Sequence, residues 1–436
     1  MQLDKTIVAL ATPSGTGAVG LIRISGKQAI KIASKCFKSH RDIDIIKQAS
    51  HKTFLGWIKD GKRIIDKVLL TIFKGPNSYT GENIIEISCH GSNYILQEIL
   101  DLLVKNGAEP AKAGEFTLRA FLNKKMDLTQ AEAVADLISS ESKASHELAI
   151  NQMRGGYSKN ISDLRGQLIH FASMIALELD FSEEDVEFAN TDEFLKLLEE
   201  IESQLKDLSN SFAYGSVIKS GVPVAILGKP NAGKSSLLNA LLNEDKAIVS
   251  EIEGTTRDSI EDTLVIDGIQ FRFIDTAGLR ETKDKIESIG VKRAIENAKK
   301  AKILVYIYDV THKDTNGILD QLKSIISLDK QIILIQNKMD ISNGMERSSY
   351  LIKKEFKNLP TPLSISTNEK ESINKLKSLL VETVNEIGGD SSTIVTNVRH
   401  HNSINKSLKD IQSVKKAMKD NVSGDLISVD LNSAIY

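Results

Sequence analysis

Apolar positions change their period twice along this chain. From Ile7 to about Phe116 they fall in short alternating or unbroken runs (IVALA, GLIRIS, KVLLTIF, IIEIS), separated by turn clusters such as GPNSYTGEN. That spacing predicts a strand-rich domain with few helices. One helix is expected over Ile95–Val104, stopping near Asn106 and Gly107. From about Phe121 the period lengthens to that of a helix. Leu164, Leu168, Phe171, Ile175 and Leu179 make one stripe; Phe194, Leu198, Ile201, Leu205, Leu208 and Phe212 make a second, entered through Asn190 with Glu193 as its capping pair. A further stripe, Ile404, Leu408, Ile411 and Met418, follows a segment of another kind, which places this last helix back on the first bundle.

The intervening segment, about Val217–Glu386, alternates buried strands (VAILG, ILVYIYD, IILIQN) with helical patterns, as a doubly wound α/β domain does. Within it Asp267-Gly268 supplies the two-residue turn of an antiparallel hairpin. The expected fold is therefore multidomain, α/β and α+β: a strand-rich domain over 1–120, a helical bundle over 121–216 and 387–436, and an inserted doubly wound domain over 217–386.

Composition narrows the class. No apolar run approaches the roughly 18 residues of a membrane span, and the start MQLDKTIVALATPSG lacks the apolar stretch of a signal peptide, so a cytoplasmic protein without membrane contact is expected. The two cysteines, Cys36 and Cys89, have no disulfide or zinc spacing and read as buried thiols. Cys89-His90 as nucleophile and base is disfavoured, because neighbours on a strand face opposite sides. A net charge of -2 and 5% aromatic residues confine any nucleic-acid contact to a local patch.

The chemistry lies in the inserted segment. Gly228-Lys229-Pro230-Asn231-Ala232-Gly233-Lys234-Ser235 fits G-x-x-x-x-G-K-[ST], between the strand VAIL and the helical SLLNALL, which Ser236 opens. Small residues there let backbone N–H groups wrap phosphates, Lys234 reaches the β and γ oxygens, and the Ser235 hydroxyl ligates Mg²⁺. Asp275-Thr276-Ala277-Gly278 ends the strand QFRFI and matches the magnesium and γ-phosphate sensor. Asn337-Lys338-Met339-Asp340 fits N-K-x-D, whose carboxylate accepts two N–H groups of guanine that adenine does not offer as a pair. Ser364-Ile365-Ser366 falls where a last guanine loop belongs, although Ile365 replaces the usual small middle residue. In Gly254-Thr255-Thr256-Arg257-Asp258, Thr256 is the candidate second hydroxyl on magnesium. Together these predict a GTP hydrolase. After Gly278 comes Leu279, where many GTPases carry a glutamine, so another group must orient water; Glu281, Asp284 and Glu287 are candidates.

Asn231 in the P-loop, with GTTRD and DTAGLRE, resembles the GTPase branch of tRNA-modification and ribosome-assembly proteins. ATPSGTGAVGLIRISG, GPNSYTGENIIEISCHG, AGEFTLRAFLNKKMDLTQAEAVADLI and IALELDFSEEDVEF resemble the MnmE (TrmE) family of tRNA uridine-modification GTPases. This resemblance implies a tetrahydrofolate-binding, dimerising N-terminal domain, a helical domain and an inserted GTPase domain. It implies addition of an aminomethyl or carboxymethylaminomethyl group to C5 of the wobble uridine of certain tRNAs, in a heterotetramer with the FAD-dependent partner MnmG. The one-carbon donor would be 5-formyl-tetrahydrofolate or a related form, held by Arg23, Glu86 and Lys125. It further implies K⁺ held by Asn231 and by Ser250, Ile252 and Thr255, with Glu287 positioning water indirectly. A monovalent cation beside the β–γ bridge would stabilise charge developing in phosphoryl transfer.

Gly15, Gly17 and Gly20 also satisfy G-x-G-x-x-G, but the strand-like LIRIS that follows argues against a dinucleotide site. Rival readings are a ribosome-assembly GTPase switch, which needs an RNA-binding module where the C-terminal segment reads as one amphipathic helix, and a non-catalytic GTP-dependent scaffold. Arg399, Lys406, Lys409, Lys415, Lys416 and Lys419 either meet tRNA phosphates or solvate a helix face. The chain stops at LISVDLNSAIY, whereas the family closes with a Cys-Ile-Gly-Lys tail; the expectation is a helix cut off mid-pattern, with GTP hydrolysis kept and tRNA modification lost if the tail is needed at the folate site.

Overall fold

A computed structural model describes residues 4–180, 191–243, 261–274, 296–311, 315–328, 330–341, 347–356, 359–388, 393–420 and 422–436. The chain divides into two compact units, 1–135 with 153–155, and 136–152 with 156–436.

The first unit is built on a seven-stranded sheet of order β3-β4-β5-β6-β2-β1-β7. Its strands are β1 (Ile7–Leu10), β2 (Val19–Ser25), β3 (Phe37–Ser39), β4 (Lys52–Asp60), β5 (Arg63–Phe73), β6 (Ile84–His90) and β7 (Glu109–Pro110). Alternation sends Ile22, Ile24, Val68, Leu70, Ile72, Ile85 and Ile87 into one core. The expected helix forms over Asn93–Lys105, burying Leu96, Ile99, Leu102 and Leu103 and stopping at Asn106 before Gly107 at φ 109°. Two further helices, Ala29–Cys36 and Glu115–Leu122, escaped the pattern. Both are eight residues long and neither has a side-chain N-cap bond, so the usual start signal is missing.

The second unit holds the helical bundle and the inserted sheet. Leu164, Leu168, Phe171 and Ile175 share a core with Phe194, Leu198, Ile201, Leu205 and Leu208, and Ile404, Ile411 and Val414 of the helix Val398–Lys419 close it. Asn190 lies outside the described residues. The C-terminal segment is two helices rather than one: the chain breaks after the C-cap Asp420 and resumes at Gly424–Ile435, whose Ile427, Leu431 and Ala434 face the bundle while Leu426 and Val429 are exposed. Lys415 pairs with Glu199 and Glu202 of the bundle, both at 3.1 Å.

The inserted sheet runs β13-β12-β11-β8-β10-β9, with β8 (Val222–Leu227), β9 (Asp262–Ile266), β10 (Ile269–Phe273), β11 (Ile303–Asp309), β12 (Gln331–Asn337) and β13 (Leu363–Ser364). All pairings are parallel except β9–β10, and β11 is covered on both faces, as parallel strands are. The chain leaves β8 toward β10 on one side and β11 on the other, so the end of β8 is the topological switch point where a ligand crevice opens. The β9–β10 turn has Asp267 at φ 47° and Gly268 at φ 81°, as the two-residue hairpin demands. Its tip docks on the bundle: Ala144 N–H donates to Gly268 O at 2.9 Å and Gln270 Nε2 to Glu141 Oε2 at 2.6 Å.

Candidate functional site: a phosphate and base crevice, and a second site in the first unit

The phosphate loop fills the switch point. Gly228, at φ 150°, passes so close to β11 that a Cβ would lie 2.1 Å from Ile307 O; Gly233, at φ 102°, would put one 2.1 Å from Asn337 Nδ2. Both close approaches need glycine. Asn231 takes the left-handed conformation at φ 63°, which asparagine tolerates better than other side chains. The helix Lys234–Asn243 begins at the loop's end, with Leu237, Leu238 and Leu241 anchoring it in the core, so its N-terminal N–H groups face the crevice. Lys234 Nζ donates to Gly228 O and Lys229 O, each at 2.8 Å, and burial pushes its ammonium below the ordinary lysine pKa. Ser235 is half-buried and Ser236 exposed on the first turn, while Ala232 is buried.

The candidate base-reading motif is tied to this loop. Asn337 ends β12, is buried, and donates from Nδ2 to Ala232 O at 3.0 Å; its Oδ1 is buried with no hydrogen-bond partner among the described residues. Lys338, at φ 65°, pairs with Asp309 Oδ2 at 2.6 Å. Burial opposes ionisation of Asp309, but donation from Lys338 and Thr311 outweighs it and holds the carboxyl below its usual value. Asp340 stands exposed beyond the strand. Asp309 went unread in the sequence, although an acid ending a fully apolar strand, ILVYIYD, marks the crevice edge.

Ile365 changes the picture of the last loop. Its side chain is 1% exposed within the core, and its backbone bridges Gln336 O and Met339 N–H, so it offers a base only backbone groups. Ser364 accepts a hydrogen bond from Gln336 Nε2; Ser366 is buried, and its hydroxyl accepts from Asn368 N–H at 3.4 Å as the chain turns. Ser250, Ile252, Thr255, Thr256, Asp275, Thr276, Ala277, Gly278 and Glu287 lie outside the described residues, as do Leu279, Glu281 and Asp284.

A second constellation occupies the first unit. Arg23 and Glu86 are direct partners across β2 and β6, joined at 2.8 Å from Nε and 2.7 Å from the terminal nitrogen. The guanidinium lies 5.2 Å from the Tyr79 ring centre and 5.7 Å from that of Phe116. Lys125 is exposed and donates to Pro76 O at 3.0 Å, on the loop that carries Tyr79. Tyr79 and Phe116 were not singled out from the sequence; nothing in the spacing of two lone aromatics signals a shared cation. Cys89 is buried with its thiol pushed up to about 11 by burial, and its Sγ contacts Gly20 O, while His90 turns outward to Asp66 at 2.7 Å. They form no nucleophile–base pair. Gly15, Gly17 and Gly20 lead into a strand, not a helix.

The family model for the GTP-binding protein TrmE N-terminus matches residues 6–125, and that for the MnmE helical domain matches 128–436. Relatives named tRNA modification GTPase MnmE are similar along the whole length. That of Flavobacterium psychrophilum is 54% identical, over 100% of this chain and 94% of the relative. That of Flavobacterium johnsoniae is 53% identical over 99% and 93%, and that of Christiangramia forsetii 49% over 100% and 94%.

Proposed function

Since the chain belongs to the MnmE family, we propose that its two constellations divide one task, GTP hydrolysis at the crevice and one-carbon handling at Arg23–Glu86. The chain is a GTP hydrolase of tRNA modification. The observation that carries the crevice assignment is the bond from Asn337 Nδ2 to Ala232 O, which ties base-reading motif to phosphate loop at 3.0 Å.

In this reading Lys234 exchanges two backbone carbonyls for β- and γ-phosphate oxygens, and the loop N–H groups surround the phosphates. Asp340 accepts the paired N–H groups of guanine. The glycine cradle and the half-buried Ser235 hydroxyl beside it fit a magnesium nucleotide. Ser235 and Thr256 would hold the ion, which supplies charge neutralisation across the phosphates. Asn231, Ser250, Ile252 and Thr255 would hold K⁺, and Glu287 would orient water. Arg23, Glu86 and Lys125 would hold 5-formyl-tetrahydrofolate or a related form: a carboxylate accepts ring N–H groups, a guanidinium and an ammonium meet anionic groups, and Tyr79 and Phe116 supply flat apolar walls. The domains are 1–120, 121–216 with 387–436, and 217–386. Partners are a second copy of the chain, the FAD-dependent MnmG and tRNA, in the cytoplasm. No helix among the described residues is long and apolar enough to cross a membrane.

The test is reconstitution with the flavoprotein partner, tRNA, folate and GTP, followed by nucleoside analysis of the wobble position. Modified uridine that requires both GTP and Arg23 supports the reading; modification that persists in an Arg23→Ala chain contradicts the folate assignment. GTP turnover should be faster in K⁺ than in Na⁺ at equal ionic strength, and equal rates would remove the cation.

A further inference from the structure

A second polar cluster, linked to the Arg23–Glu86 pair through Tyr79, lies in the same unit. Arg119, on the helix Glu115–Leu122, is 1% exposed. One terminal nitrogen donates to Lys5 O at 2.8 Å and to both Glu82 oxygens at 3.2 Å, and the other to Glu115 Oε1 at 2.9 Å. Glu82 also accepts from Ser25 Oγ at 2.7 Å, and Ser25 shares a 2.7 Å hydrogen bond with the fully buried Thr80. Asn123, just past the same helix, donates to Thr80 O at 2.7 Å. The loop from Lys74 to Asn83 is thus gripped from within at Thr80 and Glu82. Its next residue back, Tyr79, reaches Thr117 of the helix at 2.9 Å and lies over Arg23.

Burying an arginine with two carboxylates adds little net stability, since desolvation offsets much of the attraction; its use is geometric, because a planar fork holds two partners at fixed angles. Here the partners belong to two segments that carry the two aromatic walls, Tyr79 on the loop and Phe116 on the helix. We infer that Arg119 is a positioning residue for the Arg23–Glu86 site: by clamping Glu82 to the helix Glu115–Leu122 it sets Tyr79 and Phe116 around the Arg23 guanidinium, so that a ligand with a heterocyclic ring and anionic carboxylates meets a preformed slot. The inference rests on the folate reading of that site.

Glu82 and Glu115 separate positioning from simple stability. Each is a carboxylate on the same guanidinium, but only Glu82 lies on the loop. Affinity of the full-length chain for 5-formyl-tetrahydrofolate, melting temperature and amide exchange of residues 76–83 are measured for Arg119→Lys, Glu82→Gln, Glu115→Gln and Arg23→Ala. The expected result is an affinity loss of about fivefold or more for Glu82→Gln and less than about twofold for Glu115→Gln at similar melting temperatures, with faster exchange of 76–83 only in the former. Arg119→Lys, if it folds, follows Glu82→Gln. Equal affinity losses in the two glutamine variants, tracking melting temperature, would overturn the positioning role while Arg23→Ala still weakens binding about tenfold or more. Unchanged affinity in Arg23→Ala would instead remove the folate reading, and equal exchange in the two glutamine variants would then remove the positioning role whatever the ligand.

Discussion

The crevice at the end of β8 and the Arg23–Glu86 site are built in opposite ways. In the crevice the groups proposed to meet phosphate are backbone N–H groups supplied by one unbroken stretch, Gly228–Ser235, at a strand-to-helix turn where Gly228 and Gly233 leave no room for a Cβ. In the first unit the groups are side chains drawn from β2, β6, the loop 74–83, the helix Glu115–Leu122 and the turn after it, and their arrangement depends on a buried ion cluster. A site of the first kind fails when something is added to it. A site of the second kind fails when something is taken away.

The largest effect should follow from adding bulk to the crevice. Gly233→Val would force a branched side chain onto a backbone at φ 102° and a Cβ to within 2.1 Å of Asn337 Nδ2, parting the phosphate loop from the base motif. GTP affinity, by titration of a fluorescent analogue, should fall about 100-fold or more. Near-normal binding would show that the loop tolerates added bulk.

Arg23→Ala is the converse, a removal. It strands Glu86 and takes the cation from between Tyr79 and Phe116, and folate affinity should fall about tenfold or more. GTP turnover of the same chain should stay within about twofold, because no group of the crevice has been touched. Loss of both activities together would show that the sites are not separable.

The two modes of construction also explain what was legible. Gly228, Gly233, Lys234 and Asn337 could be read because backbone geometry at a strand-to-helix turn constrains residue type at fixed spacing. So could the bundle stripes, from Leu164 to Ile175 and from Phe194 to Leu208, which the core confirms position by position. Arg23, Glu86 and Lys125 were reached through family resemblance alone, since no local rule links positions 23, 86 and 125. Tyr79, Phe116 and Arg119 were not reached at all, because a buried arginine on a short, uncapped helix leaves no periodic signal. Ile365 is legible only in part: the motif marks its position, and packing buries its side chain, which leaves only its backbone to face a ligand.

A smaller effect, within the helical bundle, supplies the control. Lys206, Gln412 and Lys415 donate to Glu202 and, against partial burial, hold its carboxyl down to about 2. A carboxyl depressed in the folded chain stabilises above its unfolded value of about 4.5 and loses that contribution as pH falls through about 2. Glu202→Gln should therefore cost about 1–2 kcal/mol at pH 7, with the difference from the parent chain fading below pH 4. Melting followed against pH checks this, while GTP and folate affinity at 25 °C should stay in place. A pH-independent loss would mean that packing and not charge holds Glu202.

Whether the crevice reads guanine through Asp340 decides between a GTPase site and a general nucleotide site. Turnover and binding of GTP, ATP and a xanthine nucleotide should be compared for the parent chain and for Asp340→Asn. The parent should bind and hydrolyse GTP and discriminate against ATP. The variant should lose GTP affinity and gain the xanthine nucleotide, because an amide that donates to a carbonyl has replaced a carboxylate that accepts N–H. Unchanged GTP affinity in Asp340→Asn would contradict the assignment of the base site, and with it the account of this crevice.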